Sequence, residues 1–563
     1  MNPARILAGE IRARCAALGD SPAVHFVSKA LGDRTVSWAT LLESADTVAR
    51  EIRSAPLQSG VVVIVLDHSL ELLDSLIGSI LADRTPTIFS LPSVKLNMPK
   101  YFEALPKLLA NARPDLIITS PELYRQLSTW GISLRGIAVM AGGKLVTAGE
   151  TTGPSQSPSA ERPSKPAAIL QYSSGTTGLR KGVALDDAAI LEQIDGYGRA
   201  IRLSADDIII SWLPLYHDMG LIACCLMPLV KGVPVVWMSP FDWVGDPALW
   251  FRYAHRFRAT LSWLPNFAYN YSALRVTPAM TSGVDLSSLR CIVNCAEPVR
   301  ADSHRLFVEK FSSLGLQPSS LGTCYALAEN TFAVTEGGVS APVVHEEVDA
   351  DDLLRRNLAR RVPSGRGGYP MLSSGRTFPG QEVKIVDAGR VELPPRRVGE
   401  VAIRSACIMR GYYKNEEATA ESMDGEGWFY TKDLGYLTEE RDLFVTGRMN
   451  DMIIVGGVNI YPSDIEYFVS EVPGVHPGRV VTFGVDNEAK GTEDLVVIAE
   501  LEPSWKGREQ EVEAGIRREI SMRAECPVAD VRLVPPMWLL KSSSGKIARG
   551  ANRGRYLSER NRH

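Results

Sequence analysis

The chain has 563 residues, 45% of them hydrophobic and 22% charged, with 61 basic and 65 acidic residues and a formal net charge of -4. Such composition is that of a globular protein with ample length for large cores, divided into structural units of roughly 100–200 residues each. No basic excess points to nucleic acid, and no acidic tail points to disorder.

In chain order, the opening stretch MNPARILAGEIRARCAALGD is charged throughout, lacks the apolar core of a secretory signal and is expected to form an amphipathic helix. Val61–Leu66 is a continuous β-branched run, and Ser69–Ala82 then carries leucines and isoleucines at helical spacing. Asp115–Thr119 and Ala168–Tyr172 are further strands. Gln193–Ile201 belongs to a polar-faced helix whose start Asp186 or Asp187 is expected to cap. The longest apolar run, Gly220 to Val230, is cut by Lys231 and too short to span a bilayer, so no stable membrane insertion and a cytoplasmic location are expected. Cys291–Cys295 and Val383–Val386 are again strand-like. The alternation implies layered α/β subdomains with largely parallel sheets. The eight cysteines are scattered with no CxxC pair, which favours buried thiols in a reducing compartment over disulfides or zinc.

Three stretches read as loops: the Ser/Pro/Thr/Gly-rich Ala148–Lys165; Glu336–Gly375, Gly-rich at its start with a charged helical centre; and the polar joint Thr446–Asp451, after which a new α/β pattern begins. The expected division is a large N-terminal unit over 1–449 and a small C-terminal α+β unit over 450–563.

The strongest local signal is Tyr172-Ser-Ser-Gly-Thr-Thr-Gly-Leu-Arg-Lys-Gly182. A buried strand runs into glycines (Gly175, Gly178) that let the backbone approach an anion. Ser173, Ser174, Thr176 and Thr177 add hydroxyl donors, and Lys181 adds charge. This suits a triphosphate, yet it is not the G-x-x-x-x-G-K-[ST] loop: Leu540 stands where that motif needs Gly ahead of Gly545-Lys546.

The string resembles the signature loop of the acyl- and aryl-adenylating superfamily, and further motifs follow in the same order along nearly the whole chain. Trp212-Leu-Pro-Leu-Tyr-His-Asp-Met-Gly220 resembles the segment between acyl channel and reaction centre, with His217 as the matching position. Asn294-Cys-Ala-Glu-Pro298 resembles the adenine-pocket segment (Asn294, Ala296, Glu297), in the form found in fatty acyl-AMP ligases. Tyr325-Ala-Leu-Ala-Glu329 fits that branch too. The resemblance implies that Tyr325 stacks on adenine and Glu329 helps hold Mg²⁺, with Ala326 where the branch usually has Gly. In Trp428-Phe-Tyr-Thr-Lys-Asp-Leu-Gly435 it implies that Asp433 binds the ribose hydroxyls. In Gly447-Arg-Met-Asn-Asp-Met-Ile-Ile454 it implies a ribose or phosphate contact from Arg448 and a hinge at Asn450. Leu540-Lys-Ser-Ser-Ser-Gly-Lys546 resembles the C-terminal catalytic loop, with Lys546 as the mobile lysine.

The resemblance thus implies ATP- and Mg²⁺-dependent activation of a fatty or related carboxylic acid as its acyl-adenylate, then transfer to the phosphopantetheine thiol of an acyl carrier protein. An acyl-CoA synthetase and a nucleotide-binding scaffold without catalysis are the competing readings. Glu346–Arg361 coincides with an extra segment that hinders CoA turnover in fatty acyl-AMP ligases, or is a plain surface excursion. Trp263–Tyr271 is aromatic enough to wall an acyl channel, although core packing is the commoner use of such a run.

Overall fold

The computed structural model describes residues 5–55, 59–91, 98–146, 165–172, 181–363, 365, 368–456, 458–487, 490, 492–524, 526–541 and 546–560. Val61–Val65 is buried on both faces, as a β-branched run must be when helices cover both sides of its sheet. It lies in a five-stranded sheet, with Thr85–Ile88 and Leu116–Thr119 as parallel neighbours and Ala138–Ala141 and Lys144–Val146 beyond. The following helix, Leu70–Leu81, starts where Ser69 accepts the Leu72 N–H. It is buried on nearly all sides, the mark of a helix sandwiched within a core.

A second, seven-stranded sheet runs in the order Leu321–Thr323, Cys291–Asn294, Leu261–Leu264, Ile209–Ser211, Val235–Met238, Pro22–Val27, Arg34–Ser37. All neighbours are parallel except the last pair. One hydrophobic core joins both sheets and the helices between them, from Leu7 to Leu443. A three-stranded antiparallel sheet (Ile169–Tyr172, Gly182–Leu185, Gly411–Tyr412) flanks the glycine-hydroxyl string, with Tyr172 opposite Gly182.

Several local expectations change. Asp186 stands at the N-terminus of helix Asp187–Ala200 but makes no side-chain cap. The Asp187 carboxylate instead accepts the Leu7 N–H at 2.7 Å, at the start of helix Leu7–Leu18. Helix Asp187–Ala200 is amphipathic as expected: Glu192 and Arg199 are exposed on one face, while Ile190, Ile194 and Tyr197 are buried on the other. Most of Ala148–Lys165 lies outside the described residues.

Residues 336–375 are not a plain loop. His345–Val348 pairs antiparallel with Arg361–Val362 and Tyr369–Leu372, and the charged centre forms helix Ala350–Arg356. The insert is knitted to the four-stranded antiparallel sheet Gln381–Val386, Gly399–Ser405, Phe429–Leu437, Leu443–Arg448. Its Glu346, 6% exposed, receives the Tyr436 hydroxyl at 2.8 Å and the Arg396 guanidinium at 3.3 Å.

Thr446–Arg448 ends a strand, so the polar joint is shorter than its composition implies. Gly447 is required here: a Cβ would lie 2.6 Å from the Tyr461 ring. Beyond it, residues 453–557 build two further hydrophobic clusters around the sheet Val475–Asn487, Thr492–Leu501, Val528–Val534. Tyr461 is the exception, because it packs with Val348, Leu353 and Phe444. Helix Pro462–Ser470 docks on the larger unit through charge: Asp464 accepts from both Arg300 and Tyr369. The Tyr467 hydroxyl donates to Asp302 at 3.0 Å, while Arg300 lies over the Tyr467 ring.

Removing Glu346 strips Arg396 of its buried partner but leaves it Glu439 at 3.0 Å. Glu346→Ala is therefore expected to cost about 1–3 kcal/mol, less than breaking a fully buried pair. The urea midpoint would fall accordingly; a midpoint equal to the parent's would show that the insert contributes nothing through this carboxylate.

Candidate active site

In open α/β sheets ligands gather beyond the carboxyl ends of the strands. Strands Cys291–Asn294 and Leu321–Thr323 are parallel neighbours with Asn294 opposite Thr323. Their ends deliver Ala296 and Tyr325 side by side. Asn294 is fully buried, its amide donating to Asn266 at 2.9 Å and meeting His304 at 3.1 Å. Its amide thus ties the strand to the helices Asn266–Arg275 and Ala301–Phe311, while its buried Oδ1 has no hydrogen-bond partner among the described residues. Glu297 is likewise occupied, accepting the Phe267 N–H at 2.9 Å. Ala296 sits at φ 71°, a left-handed conformation uncommon for a residue with a Cβ. Its carbonyl accepts the Lys546 ammonium at 2.5 Å, across 250 positions of sequence.

Tyr325, Asp433 and Arg448 form one hydrogen-bonded triad, with Tyr325 and Asp433 buried and Arg448 exposed. Asp433 faces Arg448 in the antiparallel register of their strands. The Tyr325 hydroxyl donates to one carboxylate oxygen at 2.7 Å, and Arg448 Nε donates to the other at 2.9 Å. Burial, reinforced by Asp433, pushes the Tyr325 phenol far up, so it stays a donor. The carboxylate in turn raises the Arg448 pKa. Ala326 forms a bridge with Ala333 in the turn that follows Tyr325.

Glu329 lies in the short turn Ala328–Asn330 and accepts the Tyr412 hydroxyl at 2.9 Å. Burial raises its carboxyl pKa, partly offset by this bond and by Arg448. Lys181 holds its ammonium 4.5 Å from the Tyr412 ring centre, a cation–π contact. Ser173, Ser174, Gly175, Thr176, Thr177 and Gly178 lie outside the described residues, as do 542–545 of the lysine loop. The half-buried Glu329 carboxylate suits Mg²⁺, a hard ion that takes one or two carboxylates and completes its shell with phosphate oxygens and water. Among the described residues no cluster of three His, Cys, Asp or Glu could hold a metal by itself.

His217 and Asp218 lead into a π-helix, Met219–Leu226, a rare form concentrated at functional sites. Gly220 is obligatory, since a Cβ would come within 2.3 Å of the Pro214 carbonyl. The His217 ring lies 5.1 Å from that of Tyr216. Asp218 accepts the Met219 N–H at 2.9 Å. Burial raises its pKa while the nearby Lys546 lowers it. Asp218 and Tyr412 escaped the sequence reading. The only signal for Asp218 was a carboxylate placed directly before a wholly apolar turn. In the Trp263–Tyr271 run, Trp263 and Tyr269 are buried in the core.

A sheet edge, a hydrogen-bonded Tyr–Asp–Arg triad, a half-buried carboxylate and a lysine from the far end of the chain make a site for two anionic reactants. The family model described as AMP-binding enzyme matches residues 11–413. Accordingly, the chain belongs to the AMP-binding enzymes. It is an adenylate-forming ligase that uses ATP to activate a carboxylic acid. Curated relatives include the 4-hydroxyphenylalkanoate adenylyltransferase of Mycobacterium tuberculosis, 31% identical over 93% of this chain and 86% of its own length. The medium-chain-fatty-acid–[acyl-carrier-protein] ligase JamA of Moorena producens is 30% identical over 93% of this chain and 90% of its own. Among solved structures, one from a study of fatty acyl-adenylate ligases of E. coli and L. pneumophila superposes with a TM-score of 0.89 at 26% identity, covering 99% of each chain.

Burial holds the His304 pKa down to about 3, from an ordinary 6.5. Between those values the unfolded chain binds a proton that the native state refuses, so stability falls as pH drops through that window. His304→Gln should flatten the dependence of melting temperature on pH between 6.5 and 3. A slope matching the parent's would mean that native His304 is protonated.

Proposed function

We propose that this chain converts a fatty or related carboxylic acid and ATP into an acyl-adenylate and pyrophosphate, then passes the acyl group to the phosphopantetheine thiol of an acyl carrier protein. The observation that carries the reading is the Lys546 ammonium at the Ala296 carbonyl, beside the strand end that bears Tyr325. A carboxylate oxygen attacks the α-phosphorus, and pyrophosphate leaves. Both reactants are anions, so positioning and charge stabilisation carry the catalysis, without a protein nucleophile.

Tyr325 offers an aromatic face to adenine. Asp433 has two oxygens, now taken by Tyr325 and Arg448, that suit a ribose diol when ATP is bound. Asn294, Ala296 and Glu297 border the adenine through backbone groups. The string Ser173–Gly178 and Lys181 cradle the phosphates. Glu329, oriented by Tyr412, would hold Mg²⁺, which supplies charge neutralisation on the triphosphate when bound. His217 lies toward the acyl entry, and Lys546 meets the charge that develops between carboxylate and α-phosphate. The small unit, 450–563, then turns about Asn450, withdraws Lys546 and admits the thiol, a hinge-type rearrangement.

The relatives named as fatty-acid and acyl-carrier-protein ligases support this branch over an acyl-CoA synthetase. So does the segment Glu346–Arg361, whose Asn357 contacts Asn459 of the small unit. The presence of both Lys546 and Glu329 disfavours an inactive scaffold.

Lys546→Ala should lower adenylate formation about 10²–10³-fold, the range for a lost transition-state donor. Thiol transfer from pre-made acyl-adenylate should persist. Acyl-AMP measured by mass spectrometry across acids of graded length, with CoA or holo-carrier protein supplied in parallel, reads both steps; equal loss of both, or preference for CoA, would overturn the scheme. Tyr412→Phe should slow adenylation about 10-fold through a misplaced Glu329. If adenylation keeps the parent's rate, Tyr412 does not orient that carboxylate.

A further inference from the structure

Arg549 lies three residues beyond Lys546, as the first residue of helix Arg549–Arg560. It plays no part in the scheme above, yet its guanidinium is the most heavily committed group near the lysine. Nη1 donates to Asp451 at 2.6 Å, Nη2 to both oxygens of Glu466 at 2.9 and 3.0 Å, and Nε to the Thr482 carbonyl at 2.9 Å. These partners come from three elements: the turn after Arg448, helix Pro462–Ser470 and strand Val475–Asn487.

The helix does not need Arg549 to stay in place. Asn552, fully buried, closes the base of the lysine loop by bonding the Leu540 N–H and carbonyl, each at 2.9 Å. Tyr556 packs on Phe483 and donates to Asp530 at 2.7 Å. What Arg549 adds is the link to Asp451, the residue directly after Asn450. The Asp451 N–H returns to the Arg448 carbonyl at 3.1 Å, and Arg448 holds Asp433. A path therefore runs from Asp433 through Arg448 and Asp451 to Arg549, and from there three residues back along the chain to Lys546 at the Ala296 carbonyl.

We infer that Arg549 is a positioning residue: by clamping Asp451 and Glu466 together it makes the hinge turn and the helix that begins three residues after Lys546 one stiff lever, so that rotation about Asn450 carries the ammonium to its mark. Asp451 and Arg549 lie on the same side of Asn450, so the clamp need not break when the unit turns. A planar fork suits this task, since it fixes direction as well as distance. The inference rests on the role proposed for Lys546.

Asp451→Asn tests it in the full-length enzyme, because it loosens the hinge arm and leaves the Arg549–Glu466 pair to hold the fold. Adenylation kcat should fall about 10–100-fold, the cost of misplacing a reacting group by about 1 Å, with KM for ATP unchanged. Thiol transfer from supplied acyl-adenylate should continue at the parent rate. In a Lys546→Ala background the same substitution should add nothing, as expected of two residues acting through one another. Arg549→Lys should reproduce the defect if it folds, and Asp451→Asn carries the test if it does not. Parent-like adenylation in Asp451→Asn, equal loss in both half-reactions, or a further slowing of Lys546→Ala would overturn the lever. Unimpaired adenylation in Lys546→Ala alone would instead overturn the site reading on which it rests.

Discussion

The contact between the Lys546 ammonium and the Ala296 carbonyl is the constraint that the rest of the molecule serves. In the function proposed here two negatively charged reactants repel, and Lys546 is the cation brought between them. A carbonyl in left-handed backbone, at the carboxyl edge of a parallel sheet, offers such a landing point. The sheet fixes the carbonyl; a separate small core around residues 453–557 carries the lysine.

Charge is balanced locally throughout the site. Asp218, Glu329 and Asp433 are acids withdrawn from water, and Lys546, Arg448 and Lys181 are the cations within reach. Burial raises the pKa of Asp218 and Glu329, so each is stabilised as an anion only when a partner is near.

The interface between the two units is held by ionic and hydrogen-bonding groups around helix Pro462–Ser470, where Asp464 is shared by Arg300 and Tyr369. Charged contacts of this kind are easily exchanged for water, unlike an apolar seam. Tyr461, packed beside Gly447, is the apolar pin at the point where the units meet.

Much of this was legible in the residues. The buried run Val61–Val65 and helix Leu70–Leu81 follow from apolar spacing, because burial on both faces demands it. The Tyr172–Gly182 string was legible from its glycines, hydroxyls and lysine, and the later site strings through their resemblance to the adenylating superfamily. Less legible was the insert at 336–375, whose strands are only two to four residues long and too short to show an alternation. Asp186 read as a cap because Asp favours that position, whereas its neighbour Asp187 was recruited by a helix 180 residues away.

By itself the amino-acid sequence determined the layered α/β class, the order of the chemical groups and the polar joint after Arg448, since periodicity and residue chemistry are local properties. Only the tertiary structure decided that Asn294 bonds Asn266 and His304, that Glu297 accepts from Phe267, that Tyr412 bonds Glu329, and that Arg549 binds Asp451 and Glu466. Those pairings join residues tens to hundreds of positions apart, and no local pattern encodes which distant carboxylate a buried donor will meet.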